Sequence, residues 1–299
     1  MCVQNAKNTF SSYKNRDFLE LILRNFAFGR VFLLKNMESF ANFRLILPLS
    51  LFDSMALNLD TVKVIYFDID NTLVDHSHAE NKALTLFFEQ YSEEFPLATF
   101  EKFTSVYRAS NLKLWQKLAK KEVTVEEVRA RRFLDILQEF SGRDNLTFED
   151  EAHKMGIRYM KIYEKFWELF DGASQAIEKA SKIAPLGLLS NGFRKQVLGK
   201  IKQFDWENTF HHVVISEDVG VMKPHREIFD HTLTITGYTK PEEMLYIGDH
   251  YDTDIIGASE AGWQTVWVNV HNEIKIDSVA DDEVSSIGGI CRLFDLLKS

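Results

Sequence analysis

Asp68 and Asp70 stand at alternate positions immediately after the apolar, β-branched run of residues 62–67. Such a run reads as a buried strand of a parallel sheet, and ligands of open α/β sheets collect at the carboxyl ends of the strands. Both carboxylates would meet a substrate from one sheet edge, close enough to share a cation. Without it they repel and raise each other's pKa, a penalty that a divalent ion removes. The competing reading is a polar turn in which Asp70 or Asn71 bonds the local backbone.

Three later segments pair a strand end or a helix start with similar chemistry. Leu188-Leu189-Ser190-Asn191-Gly192 offers a hydroxyl and then backbone N–H groups to an anion, although Ser-Asn-Gly also serves as an ordinary turn. Lys223 precedes Pro224, which suits the first turn of a helix whose buried face begins at Ile228 and Phe229. The ammonium is thereby aimed at the sheet edge, where it can neutralise a phosphate oxygen or hold a carboxylate ionised. A plain surface lysine is the alternative. Leu245-Tyr246-Ile247-Gly248-Asp249 ends a further apolar run in a carboxylate, with Asp252 and Asp254 close behind. Asp249, directly after the glycine, is the better metal ligand, while Asp254 alone also reads as a helix N-cap. Together these segments put carboxylates, a hydroxyl and a lysine on four strand ends of one sheet. That set matches phosphoryl chemistry, which depends mostly on positioning and charge neutralisation.

The elements that must hold these groups are legible as alternation. Beyond residue 171, helical patterns over 173–183, 193–203, 224–237, 254–261 and 289–297 separate strand patterns over 187–189, 213–216, 244–248 and 265–270. Strands separated by helices imply βαβ units with right-handed crossovers, hence an α/β fold with a doubly wound parallel sheet. Residues 76–170 carry no strand signal and read as helices over 79–91, 99–120, 124–140 and 149–166. Thr124 with Glu127 three residues on is a capping-box signature. A helical block inserted straight after the first strand would lie as a lid over that strand's end. The expected division is a core of 61–75 and 171–299, a helical cap of 76–170, and an N-terminal extension of 1–60.

With 299 residues the chain has room for two domains or for one core with a large insertion. Its 44 acidic against 35 basic residues argue against a general nucleic-acid or membrane-surface binder, whose contacts need a basic face. They do not argue against a small anionic substrate, because a metal and one or two cations invert the local field. Cys2 and Cys291 form neither a disulfide framework nor a metal-ligand spacing, and a reducing cytoplasm is the simplest home. No apolar stretch reaches membrane-span length. Up to Asp53 the sign of the charge reverses, with seven cations against four anions. This segment reads as a dispensable tail or as sequence upstream of a start at Met55 or Met37, with a targeting peptide as the lesser alternative.

The series Asp68-x-Asp70-x-Thr72, Ser190-Asn191-Gly192, Lys223-Pro224 and Gly248-Asp249-x4-Asp254 resembles, in order, the four motifs of the haloacid dehalogenase superfamily, across about residues 61–299. Leu114-Trp115, Val123-Thr124, Arg132-Phe133 and the run from Val214 to Val221 further resemble the bacterial pyrimidine 5′-nucleotidase subgroup. Ser190 stands where threonine is frequent, which keeps the hydroxyl. The resemblance implies a Rossmann-like core and a Mg²⁺-dependent phosphatase acting on a small phosphate ester, with a nucleoside monophosphate first. It implies Asp68 as nucleophile and Asp70 as general acid and base. It also implies Asp68, Asp249 and the Asp70 backbone carbonyl as metal ligands, Ser190, Asn191 and Lys223 as the phosphate cradle, and Asp254 as orienter of Lys223 or of a metal-bound water. Thr72 is a supporting residue only. Trp115 and Arg132 are the lid residues the resemblance singles out for substrate contact, although an ion pair or a solvated helix face would also account for Arg132. A broad-specificity sugar-phosphate phosphatase is the near alternative, and a metal-independent 2-haloacid dehalogenase, which needs no carboxylate at position 70, the remoter one. A monomer or a homodimer fits equally.

Overall fold

The structure, a computed structural model, describes residues 57–143 and 147–297. Almost the whole expected extension of residues 1–60, with Cys2, Met37 and Met55, lies outside them. All described residues but Leu57 belong to one unit, Asn58–Ser299.

Strand β1 (Val64–Phe67) is buried along its length. Its β-branched and aromatic side chains fill both faces, as a central parallel strand requires. Helices α1 (His76–Tyr91), α2 (Phe100–Ala119), α3 (Val125–Arg131), α4 (Leu134–Phe140) and α5 (Glu149–Tyr163) follow before the chain returns to the sheet. Then come α6 (Ala173–Ser181), β2 (Leu186–Ser190), α7 (Arg194–Gln203), β3 (His212–Ile215), α8 (Ser216–Val219), α9 (Arg226–Thr236) and β4 (Met244–Gly248). A wide helical turn, Tyr251–Ile256, leads into α10 (Gly257–Glu260), and β5 (Gln264–Val268), β6 (Asp282–Val284) and α11 (Gly289–Leu297) close the described chain.

All six strands are parallel, in the order β3-β2-β1-β4-β5-β6. The order reverses at β1, whose neighbours are β2 on one side and β4 on the other. That is the switch point where an open α/β sheet leaves a crevice at its carboxyl edge. Packing under the sheet is close: a Cβ on Gly187 would sit 2.6 Å from Tyr66 Cδ1, so only glycine admits that ring. No helix among the described residues is long and apolar enough to cross a membrane.

Three expectations shift. The helix read over 124–140 is two helices, broken at Arg132 and Phe133, both of which are buried. No glycine or proline marks the break. Phe133 packs among Phe87, Tyr107 and Tyr159, so tertiary packing overrides local periodicity. The capping box of Thr124 and Glu127 is formed as read. Pro224 is not in the first turn of α9, which begins at Arg226; a cis peptide bond joins it to Lys223. Strand β6 was not expected: it has three half-buried residues, only one of them apolar, and its pairing with β5 defines it.

Candidate active site

Groups from β1, β2 and β4 and the loops after them converge on Lys223, which itself follows β3 and α8. The β1 strand delivers Asp68, whose backbone N–H donates to Ile247 O at 2.9 Å and so ties the nascent loop to β4. The Lys223 ammonium is buried and donates in three directions: to Asp68 Oδ1 at 2.7 Å, to Asp254 Oδ1 at 2.8 Å and to the Tyr246 hydroxyl at 2.6 Å. An ammonium has three N–H donors, and all three are engaged. Tyr246 passes the network on by donating to Leu189 O at 2.9 Å.

The backbone of Lys223 is held as firmly as its side chain. Asn191 Nδ2 donates to Lys223 O at 3.0 Å, and Lys223 N donates to Asn191 Oδ1 at 2.9 Å. Beside Asn191, Ser190 Oγ accepts from Gly192 N at 3.0 Å. A Cβ on Gly192 would lie 3.1 Å from Ser190 Oγ and 3.5 Å from Asp70 Oδ2, so the loops after β1 and β2 meet there.

Asp249 follows the end of β4 and accepts from Thr72 Oγ1 at 3.0 Å, while its own carbonyl accepts from Trp267 Nε1 at 2.8 Å. Asp254 is buried within the wide turn and is not an N-cap. One of its oxygens takes Lys223, and the other accepts from His250 N at 3.1 Å. A Cβ at position 248 would stand 2.7 Å from Asp254 Cγ, so glycine there is what lets Asp254 approach.

Asp68, Asp249 and Asp254 each bring a carboxylate oxygen within 4.8 Å of the other two. Three carboxylates crowd around one lysine, which bonds only Asp68 and Asp254, and burial makes the excess negative charge costly. Burial pushes the Asp68 carboxyl up to about 7, against the pull of Lys223. Burial, then Asp254 and Asp68, raise Asp249 well above the usual carboxylate range. Burial works against the Lys223 ammonium, yet Asp254 and Asp68 outweigh it and raise its proton affinity. Crowded hard oxygen donors with too little positive charge are what a Mg²⁺-sized cation needs, so the residues present fit such an ion.

The Asp70 carboxylate is not part of that trio. It pairs with Lys200, a fully buried residue of α7. Burial opposes the ionisation of Asp70, but Lys200 and then His76 prevail and hold it below the usual range. Lys200 escaped the sequence reading, although a signal was present. It lies between Val197 and Ile201 on the apolar face of α7, where a lysine has no reason to be unless it is paired.

The two lid residues diverge. Arg132 is buried, donates to Tyr107 Oη at 3.4 Å, and leaves its Nε without a partner. With Arg129, Lys161, Phe193 and Gln196 it lines a cavity of about 200 Å³ between the helical segment and the start of α7. Trp115 is not among the lining residues; it stacks on Phe193 with ring centroids 4.8 Å apart. Phe193 directly follows Asn191-Gly192, so one wall of the cavity belongs to the segment that carries Ser190.

Comparison with known proteins bears on the family. The family model "haloacid dehalogenase-like hydrolase" matches residues 62–262. Pyrimidine 5′-nucleotidase YjjG of Escherichia coli is 27% identical over 72% of the chain and 90% of its own length. A glyceraldehyde 3-phosphate phosphatase of Pyrococcus furiosus is 25% identical over 72% of the chain and 84% of its own length. The magnesium-bound crystal structure of the HAD-hydrolase YfnB of Bacillus subtilis superposes with a TM-score of 0.67 at 26% identity, covering 80% of this chain and 99% of that one.

Proposed function

The chain belongs to the haloacid dehalogenase-like hydrolases, and we propose that it cleaves phosphate monoesters through a covalent phosphoryl intermediate on Asp68. The carrying observation is Lys223 Nζ, held 2.7 Å from Asp68 beside two further carboxylates at the sheet's switch point. A cation fixed there stabilises phosphate charge, and a buried carboxylate beside it is a nucleophile short of solvation.

In this reading an Asp68 oxygen attacks phosphorus, the bond from phosphorus to the leaving oxygen breaks, and Asp70 gives that oxygen a proton. Asp70 then takes a proton from a water whose oxygen attacks phosphorus. The Asp68–phosphorus bond breaks and inorganic phosphate leaves. Lys200 keeps Asp70 ionised before substrate arrives, so its acid role begins when the negative charge of the bound phosphate raises its proton affinity. Ser190, the Asn191 backbone and Lys223 hold phosphate oxygens. Asp254, with both oxygens already engaged, aims Lys223. Asp68, Asp249 and the backbone carbonyl of Asp70 are assigned as the groups that would hold Mg²⁺, which when bound supplies charge neutralisation for carboxylates and phosphate alike.

Residues 76–170 are assigned as the lid. The cavity lined by Arg129, Arg132 and Phe193, with the likeness to YjjG, favours a nucleoside monophosphate with a pyrimidine base. The likeness to the Pyrococcus phosphatase supports a sugar phosphate as the second reading. Phosphate release from a panel of nucleoside monophosphates and sugar phosphates, with and without Mg²⁺, tests both. The reading requires metal-dependent release that Asp68→Asn abolishes, with nucleotides fastest. Equal rates across the panel transfer the assignment to the second reading. Halide release from 2-haloacids without metal replaces the phosphatase reading altogether.

A further inference from the structure

We propose that Lys200 is a positioning residue for the reaction: it fixes the Asp70 carboxylate and is itself clamped by the segment through which the chain returns from the helical lid to the sheet. The inference rests on the phosphatase reading and adds to it a residue outside the four sequence motifs.

Asp70 lies in a tight loop, and its side chain is about one quarter exposed. A short carboxylate beside a water-accessible crevice rotates freely unless something holds one of its oxygens. Lys200 Nζ bonds Asp70 Oδ1, leaving Oδ2 on the side of Gly192 and Ser190. Acid and base duty depends on presenting one oxygen to the leaving group and then to water, and a misplacement of about 1 Å costs large factors in rate.

Three features hold the lysine in turn. The Lys200 ammonium lies 5.4 Å from the ring centre of Trp167 and 5.8 Å from that of Tyr163, so two aromatic faces take the place of water around it. Gln203 Nε2 donates to Trp167 O at 2.9 Å, one turn further along α7. A Cβ on Gly199 would stand 2.9 Å from Trp167 Cη2, so glycine there lets the indole close over the neighbouring lysine. Residues 199, 200 and 203 of α7 thus all engage the same indole residue. A fully buried lysine whose ion-pair partner is partly exposed is an expensive way to stabilise a fold, since an apolar side chain of similar volume is often no worse. The arrangement is accounted for by the orientation of Asp70.

The test is a double-mutant cycle between Lys200→Met and Asp70→Asn, measured on full-length protein with Mg²⁺ and the ester that the wild type hydrolyses fastest. Methionine keeps the length and apolar contacts of the side chain. Lys200→Met is expected to lower kcat by about tenfold to a hundredfold while KM changes by less than about threefold, the scale typical of a lost supporting partner. In the Asp70→Asn background the same substitution is expected to lower kcat by less than about twofold, because its effect passes through Asp70. Lys200→Arg restores part of the loss, and its residual deficit also disappears in the Asp70→Asn background. If Lys200→Met fails to fold, the arginine variant carries the cycle alone. Undiminished kcat in Lys200→Met, or deficits that multiply independently of Asp70, overturn the inference while leaving the phosphatase reading intact. A wild-type protein without Asp68-dependent phosphate release overturns both.

Discussion

Asn191 and Lys223 hold each other through two hydrogen bonds, each giving one donor and one acceptor across 32 residues of sequence. The loop after β2 and the segment before α9 are thereby tied together, with Ser190 directly before Asn191 on one side and the Lys223 backbone on the other. Replacing Asn191 with alanine leaves a backbone donor and acceptor of Lys223 without partners. The expected cost is about 1–3 kcal/mol of stability, read by urea denaturation. If Ser190, Asn191 and Lys223 hold the phosphate as proposed, KM for phosphate esters should rise by up to about tenfold, from loss of their preorganisation.

Gly248→Ala is a second probe of the same centre. The added methyl would stand 2.7 Å from Asp254 Cγ, and that carboxylate is already committed to Lys223 and to the backbone of His250. Overpacking of this kind costs about 1–3 kcal/mol. Because the strain falls on the partner of Lys223, activity should fall further than stability alone explains, which initial rates well below the melting temperature will show.

The pH dependence of the metal-free protein follows from Asp68. Burial raises its carboxyl to about 7, with Lys223 opposing, whereas in the unfolded chain it titrates near its usual value of about 4. Between those values the folded state binds the extra proton. The contribution of this group to stability is therefore greatest at low pH and declines as pH rises to about 7. Asp249 acts with the same sign. Asp70 is depressed and acts with the opposite sign, its stabilisation being lost only as pH falls below the ordinary carboxylate range. The metal-free Tm should accordingly fall between about pH 4 and about pH 7, and Asp68→Asn should flatten that slope.

Mg²⁺ should reverse the loss. At about one hundred times its Kd, a ligand specific to the folded state adds about 2.7 kcal/mol, or roughly 5–10 °C of Tm for a domain of this size. The gain should be largest at the alkaline end, where Asp68 has already released its proton. Asp249→Asn should remove most of it, and calorimetric scans with and without the ion will measure both.

Arg132 tests the lid. It is buried with an unpartnered Nε at the edge of a cavity that also contains Phe193. Arg132→Met keeps the volume and removes the donors. If the cavity receives the leaving group, KM for a nucleoside monophosphate should rise by about tenfold or more, the equivalent of one hydrogen bond to a charged group. A small substrate such as a triose phosphate should be hardly affected. Equal changes for both substrates would mean that Arg132 supports the lid and touches no substrate.

How much of this was legible in the chain depends on the range of each interaction. The apolar run before Asp68, the glycine before Asp249 and the Thr124–Glu127 capping box are local patterns. Strand, turn and helix start follow from them because φ/ψ preference and burial act within a few residues. The sequence by itself thus determined a parallel α/β sheet with acidic groups, a hydroxyl and a lysine at its carboxyl edge. Tertiary structure alone decided what those groups do to one another. It broke the helix at Arg132 and Phe133 to pack an aromatic cluster, and made a strand of three half-buried residues at 282–284 by pairing them with β5. It also paired the Asp70 carboxylate with Lys200, brought to it from 130 positions away. Electrostatic partners are chosen in three dimensions, where charge, burial and distance set the energy, and none of these can be read from spacing along the chain.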